Sequence, residues 1–281
     1  MKNYKIPLNL LSKGSTNSKT AKNEILTYIL YLAPYKQNSK KINLCPKASK
    51  GCAKSCLFSA GRGRFSNVIN SRVNKTEYFL DDKRGFITQL ARELHKINDK
   101  ALKGRYEVAI RLNGTSDLDF IYLLKKYSGF DVLQDDNFSN LIFYDYTAIL
   151  GKVKKYINTN YHLTFSRKED NENETLEALN IGANVSAVFS GDLPKQYKGF
   201  AVVDGDKSDI VMIEANNVIL GLKAKGEAKN DKSGFVIHPE AVNTCKYCNK
   251  ETKEKQKFCS NFCKGEFYGI NIYSGDNMPI Y

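Results

Sequence analysis

Residues 161–189 read YHLTFSRKEDNENETLEALNIGANVSAVF, and this stretch decides the fold class. Residues 161–166 and 184–189 are short, apolar and rich in β-branched or aromatic side chains, as strands are. Residues 171–179, between them, open with acidic residues, which suit the positive end of a helix dipole. A strand, a helix and a second strand in this order predict two parallel strands joined by a helical crossover.

The same alternation extends over most of the chain. Further strand-like segments lie at about 25–33, 106–112, 140–145, 199–204 and 217–222. Helix-compatible segments lie at 66–80, 86–103, 118–127 and 147–157. We therefore predict an α/β domain at 22–240, after a loose N-terminal arm at 1–21, whose sheet forms a full or partial parallel (β/α) barrel. An open doubly wound sheet is the competing arrangement, and the chain has no Gly-x-Gly-x-x-Gly turn for a dinucleotide.

Charge and hydropathy narrow the class of partner. Lysine and arginine total 43 against 30 acidic residues, which gives a formal charge of +13. A basic surface suits nucleic acid, although scattered lysines also keep proteins soluble. The apolar runs are too short to cross a membrane, and the first residues lack the apolar core of a signal peptide. We therefore expect a cytoplasmic protein, in which seven reduced cysteines favour metal over disulfides.

Four cysteines near the C-terminus have the spacing of a metal site. Cys245 and Cys248 are two residues apart, and ten residues later come Cys259 and Cys263. Two close pairs separated by a hairpin-sized stretch can place four thiolates around one zinc ion. The polar stretch between the pairs cannot build a core, so we predict a zinc-ribbon module at 244–268, followed by a tail at 269–281. Four free thiols are the alternative.

Three further cysteines, Cys45, Cys52 and Cys56, lie in the loop that directly follows the first predicted strand. Three ligands suit a metal centre that keeps one coordination position open. A cubane iron–sulfur cluster with one non-cysteine iron fits this pattern, because thiolates are the usual ligands of such clusters. A zinc ion with a distant fourth ligand and three free thiols remain open as alternatives. Polar residues at the strand ends, where barrel active sites lie, are candidates for cofactor binding: Asn113, Thr115, Asp117, Asp145, Ser166 and Arg167.

Three cysteines after the first strand of a (β/α) barrel resemble the radical S-adenosylmethionine enzymes. The resemblance implies that Cys45, Cys52 and Cys56 hold a 4Fe-4S cluster whose open iron binds S-adenosylmethionine. It also implies that the loop Asn113–Asp117 approaches the methionine end of that cofactor. The spacing in this chain is Cys-x6-Cys-x3-Cys, whereas the usual spacing in that family is Cys-x3-Cys-x2-Cys.

A second resemblance rests on three strings, LCPKASKGCAKSCLFSAGRGRF at 44–65, LNGTSD at 112–117 and GLKAKGEAKNDKSGFVI at 221–237. They resemble the phage "gene product 88" family, which implies a bacteriophage or prophage protein in the host cytoplasm. Two functions follow as hypotheses. The first is a radical S-adenosylmethionine-like iron–sulfur protein that acts on nucleic acid or a nucleotide. The second is a non-catalytic or replication-associated nucleic-acid-binding protein with two zinc-stapled cysteine clusters.

Overall fold

The computed structural model describes residues 4–14, 25–56, 61–239, 243–248, 251–252 and 257–268. The chain divides into two compact units, Met1–Ile237 and His238–Tyr281, and each is described by itself. Expectations for the tail at 269–281 and for residues 15–21 of the arm lie outside the described residues.

The first unit alternates strands and helices over most of its length. Its strands are β1 Leu11–Lys13, β2 Leu26–Leu30, β3 Val108–Arg111, β4 Leu141–Thr147, β5 Tyr161–Ser166, β6 Asn184–Phe189, β7 Gln196–Tyr197, β8 Phe200–Asp204, β9 Ile219–Lys223 and β10 Val236–Ile237. Its α-helices are α1 Lys50–Lys54, α2 Ser66–Asp81, α3 Lys83–Gly104, α4 Phe120–Ser128, α5 Leu150–Tyr156, α6 Glu172–Asn180 and α7 Val211–Glu214. Short 3₁₀ turns lie at Gly61–Arg64, Asp136–Phe138 and Gly226–Asn230.

The strands form one sheet with the order β1-β2-β3-β4-β5-β6-β9-β8-β7. Strands β2 to β6 are parallel and follow chain order across the sheet, as in a (β/α) barrel. Antiparallel strands β1 and β7 form the two edges, and within the described residues these edges do not pair with each other. The α/β class with a partial barrel is therefore confirmed, and the sheet is open rather than closed.

The barrel-like order ends after β6. The chain makes the β7–β8 hairpin there instead of a helical crossover, and β9 then fills the position between β6 and β8. On the other edge of β6, the pairing with β5 covers residues 184–186, and the short strand β10 pairs with Val188 and Phe189. Strand β10 thus extends the sheet beyond the carboxyl end of β5.

Helices α2 to α6 pack on one face of the sheet and bury the main core. Helix α3 shows why these segments are helical. Asp82 caps its first turn by accepting a hydrogen bond from the Gly85 N–H, and apolar residues such as Leu90 and Leu94 recur on one side. These side chains pack against alternate strand residues such as Ile110.

The opposite face of the sheet, which we call the inner face, has a smaller apolar cluster. Ala109, Tyr144 and Leu220 project from its strands and pack with Met212 of α7. In parallel sheets both faces are normally covered. Here the helices α2 to α6 all lie on the first face, and α7 covers part of the inner face.

Residues 4–14 differ from the loose arm that we expected. Strand β1 pairs with β2, and the backbone N–H groups of Leu10 and Leu11 donate to the carboxylate of Glu93 on α3. Tyr4 stacks on Tyr78 of α2 with ring centroids 5.1 Å apart. This part of the arm packs because its apolar side chains meet apolar surfaces of α2 and α3. The arm as a whole is polar in composition, so the sequence did not indicate this packing.

The second unit has a small hairpin and one helix among its described residues. Strands β11 Asn243–Thr244 and β12 Glu251–Thr252 pair antiparallel, and helix α8 spans Asn261–Tyr268. Among the described parts of the chain, no helix combines the length and hydropathy that crossing a membrane requires.

Candidate metal centres and the carboxyl edge of the sheet

The four C-terminal cysteines converge on one point. The Sγ atom of Cys259 lies 3.5 Å from that of Cys248 and 3.5 Å from that of Cys263. The Sγ atoms of Cys248 and Cys263 are 3.7 Å apart. With Cys245 included, all four sulfurs lie within 4.8 Å of one another. Thiolates bound tetrahedrally at about 2.3 Å from one zinc would be about 3.8 Å apart. The group is therefore spaced to hold a single metal ion.

Nearby backbone N–H groups favour the metal-binding thiolate form of the first of these cysteines. Cys245 follows β11 at the start of the turn that carries Cys248. Burial would raise the pKa of the Cys245 thiol, but backbone N–H donors of Cys248, Cys259 and Tyr247 outweigh it and lower the pKa to about 6. N–H groups that point at a sulfur stabilise the thiolate, which is the form that binds metal.

The three-cysteine loop runs along the edge of the sheet at which parallel strands end. The Cys45 Sγ atom accepts a hydrogen bond from the Tyr35 N–H at 3.5 Å and lies 3.8 Å from the carbonyl oxygen of Thr115. The Leu44 carbonyl accepts from the Asp117 N–H at 2.9 Å. These contacts join the loop after β2 to the loop after β3.

Helix α1 carries the second thiol and is held by a residue that follows β5. The Ser49 hydroxyl caps α1 by accepting from the Cys52 N–H at 3.1 Å. The Glu169 carboxylate accepts from the Ser49 hydroxyl and from the Gly51 N–H, each at 2.7 Å. One carboxylate therefore fixes the start of the helix on which Cys52 lies.

The segment before β10 closes over the same helix. A Cβ atom at Gly51 would lie 2.3 Å from the Ser233 hydroxyl oxygen and 2.7 Å from the Phe235 Cβ atom, so only glycine fits. Arg167 donates to the carbonyls of Gly234 and Phe235 at 2.6 and 3.0 Å. The three strings at 44–65, 112–117 and 221–237 thus meet at one edge of the sheet, although they are distant in sequence.

The spacing of Cys45, Cys52 and Cys56 differs from that of the C-terminal group. Within the described residues, the four C-terminal cysteines are the one group of three or more metal-binding side chains whose ligand atoms all lie within 4.8 Å. The three loop thiols are nevertheless neighbours. Burial raises the pKa of Cys45 to about 11 and of Cys52 to about 12, with a further increase from the proximity of Cys56. They are close enough to interact electrostatically, and they are not part of a group of ligand atoms as compact as the C-terminal four.

The surroundings of these thiols suit a negatively charged group. The Arg72 guanidinium lies over the Tyr31 ring at 4.9 Å. Burial lowers the pKa of Arg72, and the nearby Cys56 partly opposes that decrease. Lys168 lowers the pKa of Cys52, against the larger effect of burial. Between the second and third cysteines, the Ser55 hydroxyl is buried and has no hydrogen-bond partner within the described part of the chain. A sulfur of a bound cluster would accept that hydrogen bond, so the residues present fit an iron–sulfur cluster.

Asp145, two residues before the end of β4, is fully buried and joins three elements. Its carboxylate accepts hydrogen bonds from the Asn113 N–H at 2.8 Å and from the Tyr161 hydroxyl at 2.7 Å. The Asn113 side-chain amide adds a third at 3.1 Å. Burial raises the pKa of Asp145, although Lys152 and Arg111 oppose the rise.

Asp117 also has partners inside the protein. Its carboxylate accepts from the Thr147 hydroxyl and the Ala148 N–H, each at 2.8 Å, and lies 3.5 Å from the Lys152 ammonium. Asp117 and Asp145 therefore shape the carboxyl edge from within the protein. A cofactor-binding role for either residue stays a prediction.

The remaining predicted site residues lie at the same edge. The Thr115 hydroxyl donates to the Leu32 carbonyl, and Arg167 holds the segment before β10. Ser166 ends β5 and pairs in register with Ser186 of β6. Their contacts order the loops around the cysteines, and their predicted contact with a cofactor stays a prediction.

Sequence reasoning missed three residues that shape this site. Glu169 lies three residues beyond β5, so the rule that strand ends carry functional residues would have found it. Arg72 and Ser55 gave no local signal. Arg72 lies within an ordinary helix, and Ser55 becomes notable only because the fold buries its hydroxyl.

The fold and the site define a class: an open, largely parallel α/β sheet protein with a cysteine-bearing loop at the carboxyl edge of its strands. The chain belongs to the Gene product 88 family, which it matches over residues 9–239. The predicted resemblance to this family is confirmed, and the four-cysteine group lies outside the matched range. Neither the curated proteins nor the solved structures contain a match to this chain.

Proposed function

We propose that this protein is a radical S-adenosylmethionine-like enzyme whose Cys45, Cys52 and Cys56 hold a 4Fe-4S cluster. One observation carries the proposal. Three thiols gather in the loop after the first parallel strand, near enough to interact electrostatically, and they lie outside the compact four-cysteine group. Thiolates are the usual ligands of a cubane cluster, and three thiolates leave one iron open.

When bound and reduced, such a cluster supplies an electron that cleaves S-adenosylmethionine and yields a carbon radical. The residues of the chain position this chemistry. Glu169 fixes the start of α1, and Arg72 and Lys168 offset negative charge near the thiols. The extra residues of the Cys-x6-Cys-x3-Cys spacing include Ser49, Lys50 and Gly51, which form the cap and first turn of α1.

The proposed substrate is nucleic acid or a nucleotide. The formal charge of +13 supports a polyanionic partner, because a basic surface attracts phosphate groups over the range of the Debye length. The phage family is compatible with this proposal.

Purification without oxygen tests the cluster. The proposal predicts brown protein with about four iron and four sulfide ions per chain, and loss of the colour in Cys45→Ala, Cys52→Ala and Cys56→Ala. Ser260→Ala, in the second unit, is the control and should keep the colour. Colourless wild-type protein that carries two zinc ions would contradict the proposal.

A second candidate function is nucleic-acid binding without catalysis, in which zinc staples both cysteine clusters. The observation that favours this function concerns the second unit, whose four-cysteine group we propose to hold zinc. The rings of Phe258, Phe267 and Tyr268 pack with centroids 5.2–5.7 Å apart, and Tyr268 is 56% exposed. Exposed lysines accompany them at 246, 257 and 264. Exposed rings among lysines suit stacking on unpaired bases.

Salt dependence tests this second function. Binding to a single-stranded oligonucleotide should weaken steeply as salt rises, since lysines that contact phosphates release counterions. The change Tyr268→Ala should weaken binding by about tenfold, because one stacking contact contributes about 1–3 kcal/mol. Affinity that is independent of salt and of Tyr268 would exclude this function for the second unit.

A further inference from the structure

The solvent-facing side of helix α3 is strongly basic. Residues 83–105, which include this helix, contain seven lysine or arginine residues against two acidic residues, a net charge of +5. Four of these cations are exposed along one side of the helix: Arg92, Lys96, Lys100 and Lys103. Buried apolar residues such as Leu90 and Leu94 occupy the other side. The four cations, which we call the α3 ridge, therefore lie on the side of the helix that faces away from the core.

Helix geometry places the cations of the α3 ridge in one row. Successive residues of an α-helix are rotated by about 100° and rise by about 1.5 Å. Arg92, Lys96 and Lys103 therefore lie within an arc of about 40°, in a row about 16 Å long, and Lys100 lies about 40° beyond Lys96. Each strand of a nucleic acid carries one charge per about 3.4 Å of helix axis. A row of this length can therefore contact several phosphates.

The α3 ridge differs from exposed lysines elsewhere in the first unit, which pair with carboxylates. Those pairs are Lys40 with Asp81, Lys125 with Asp131, Lys154 with Glu177 and Lys155 with Asp119. In the ridge, by contrast, no cation forms an ion pair with a carboxylate of the described residues. Arg92 and Lys96, and likewise Lys96 and Lys100, are four residues apart, where like charges repel and destabilise a helix. A bound polyanion would relieve this repulsion, which Asp99 offsets only in part.

The burial of α3 selects the kind of polyanion. A helix that binds an anionic membrane inserts its apolar side among the lipids. In α3 that side is committed to the core, since Phe86, Leu90 and Leu94 are completely buried. Nucleic acid requires no such insertion, because lysine and arginine side chains contact its phosphates from outside. The α3 ridge therefore fits a nucleic acid better than a membrane.

We propose that the α3 ridge binds the phosphate backbone of a nucleic acid without sequence preference. Contacts with phosphates fix the position of a nucleic acid and carry no sequence information. The role of this surface in holding a substrate rests on the proposed function. The binding itself needs neither the cluster nor the second unit, so it is tested separately from both.

Fluorescence anisotropy of the full-length protein with labelled, mixed-sequence DNA of about 20 base pairs, and with its single strand, tests the proposal. The triple variant Arg92→Gln, Lys96→Gln and Lys103→Gln is the ridge variant. It should bind at least about tenfold more weakly and lower the salt slope of log affinity by about three, because three phosphate contacts are lost. Glutamine favours a helix about as well as lysine does, so the melting temperature should stay within about 2 °C of wild type.

A matched control removes the same charge from another surface. The triple variant Lys125→Gln, Lys154→Gln and Lys155→Gln replaces exposed lysines that already pair with carboxylates. Its affinity should stay within about twofold of wild type, with the salt slope unchanged. Equal losses in the two triple variants would show that net charge alone governs binding. That result, or unchanged affinity in the ridge variant, would overturn the proposal.

The second unit and anionic lipid are tested in the same assay. The ridge substitutions should cause the same loss of affinity in a Tyr268→Ala background, because α3 and Tyr268 belong to separate units. Absence of a further loss in that background would assign binding to the second unit and overturn the proposal. Wild-type protein that binds phosphatidylserine vesicles through the ridge, and binds no DNA, would overturn it as well.

Iron content separates this inference from the radical chemistry. The ridge variant should keep the iron content of wild type while it loses affinity for DNA. Wild-type protein that holds no iron and still binds DNA through the ridge would support the inference and contradict the proposed enzyme.

Discussion

The two cysteine clusters of this protein are held in opposite ways. The loop with Cys45, Cys52 and Cys56 is fixed by hydrogen bonds to two other loops, and its thiols lie outside the compact four-cysteine group. In the second unit, four thiols lie within 4.8 Å and the described secondary structure is one short hairpin and one helix. The first cluster is therefore supported by the fold, whereas we expect the second unit to depend on a bound metal in order to fold.

This difference predicts which changes will be global and which will be local. Removing a thiol from the scaffolded loop should remove the metal and leave the sheet folded. Removing a thiol from the second unit should remove the fold together with the metal.

Cys245→Ser should abolish the fold of the second unit. Structural zinc contributes on the order of 10 kcal/mol to modules of this kind, and three remaining thiols cannot close the site. Metal analysis should show the loss of one zinc, and limited proteolysis should cut within 243–268 while the sheet unit keeps its melting temperature. Cys52→Ser is the matched control and should retain this zinc. A proteolytically resistant second unit in zinc-free Cys245→Ser would break the contrast.

Asp117→Ala should destabilise the sheet unit by about 3–5 kcal/mol, because it leaves the buried Lys152 ammonium without its carboxylate. Two hydrogen bonds to Thr147 and Ala148 are lost as well. Urea unfolding measures the change in free energy. The exposed Asp136→Ala is the control and should stay within about 0.5 kcal/mol of wild type. Equal effects of the two variants would show that Asp117 does not support the carboxyl edge.

Gly51→Ala should cost about 1–3 kcal/mol, because the new Cβ atom would overlap Ser233 and Phe235. It should also release the iron of the first cluster, since α1 must move to relieve the overlap. Gly151→Ala is the matched control, as its Cβ atom would have no atom within 4 Å, and it should stabilise α5 by about 0.5–1 kcal/mol. Iron content and thermal unfolding distinguish the two. Full iron content in Gly51→Ala would contradict the packing of α1 described above.

Glu169→Gln should have the smallest effect on stability, about 1 kcal/mol. The amide oxygen can still accept one of the two hydrogen bonds from Ser49 and Gly51, and the other is weakened. Iron should dissociate faster under a chelator, while zinc in the second unit should not. Equal iron release from wild type and Glu169→Gln would show that the carboxylate does not position α1.

Local patterns predicted the main elements well. Strands β5 and β6 have the predicted bounds, and α6 differs by one residue at each end, because apolar alternation and turn residues are local signals. The order of β8 and β9 was beyond local reasoning. It depends on a hairpin whose strands are two and five residues long, and on pairing between distant segments.

The grouping of the cysteines was predictable from sequence, whereas the contacts that hold the loop of Cys45, Cys52 and Cys56 were not. Cysteine spacing alone indicated both clusters. The hydrogen bond that holds α1 joins Gly51 to Glu169, which are 118 positions apart in sequence. Ser233 and Phe235, which pack against Gly51, are still more distant from it in sequence. Contacts of that range are set by strand order, so they emerge only with the fold.

Electron paramagnetic resonance of the reduced, oxygen-free protein tests whether the three-cysteine loop holds a cluster with an open iron. If Cys45, Cys52 and Cys56 hold a cluster with one open iron, S-adenosylmethionine should change the spectrum of that cluster, because it binds the iron itself. We expect a shifted signal with S-adenosylmethionine and the unshifted signal with 5′-methylthioadenosine, which lacks the amino and carboxyl groups that would bind the iron. An iron–sulfur signal that does not respond to S-adenosylmethionine, or the absence of any such signal, would contradict this expectation.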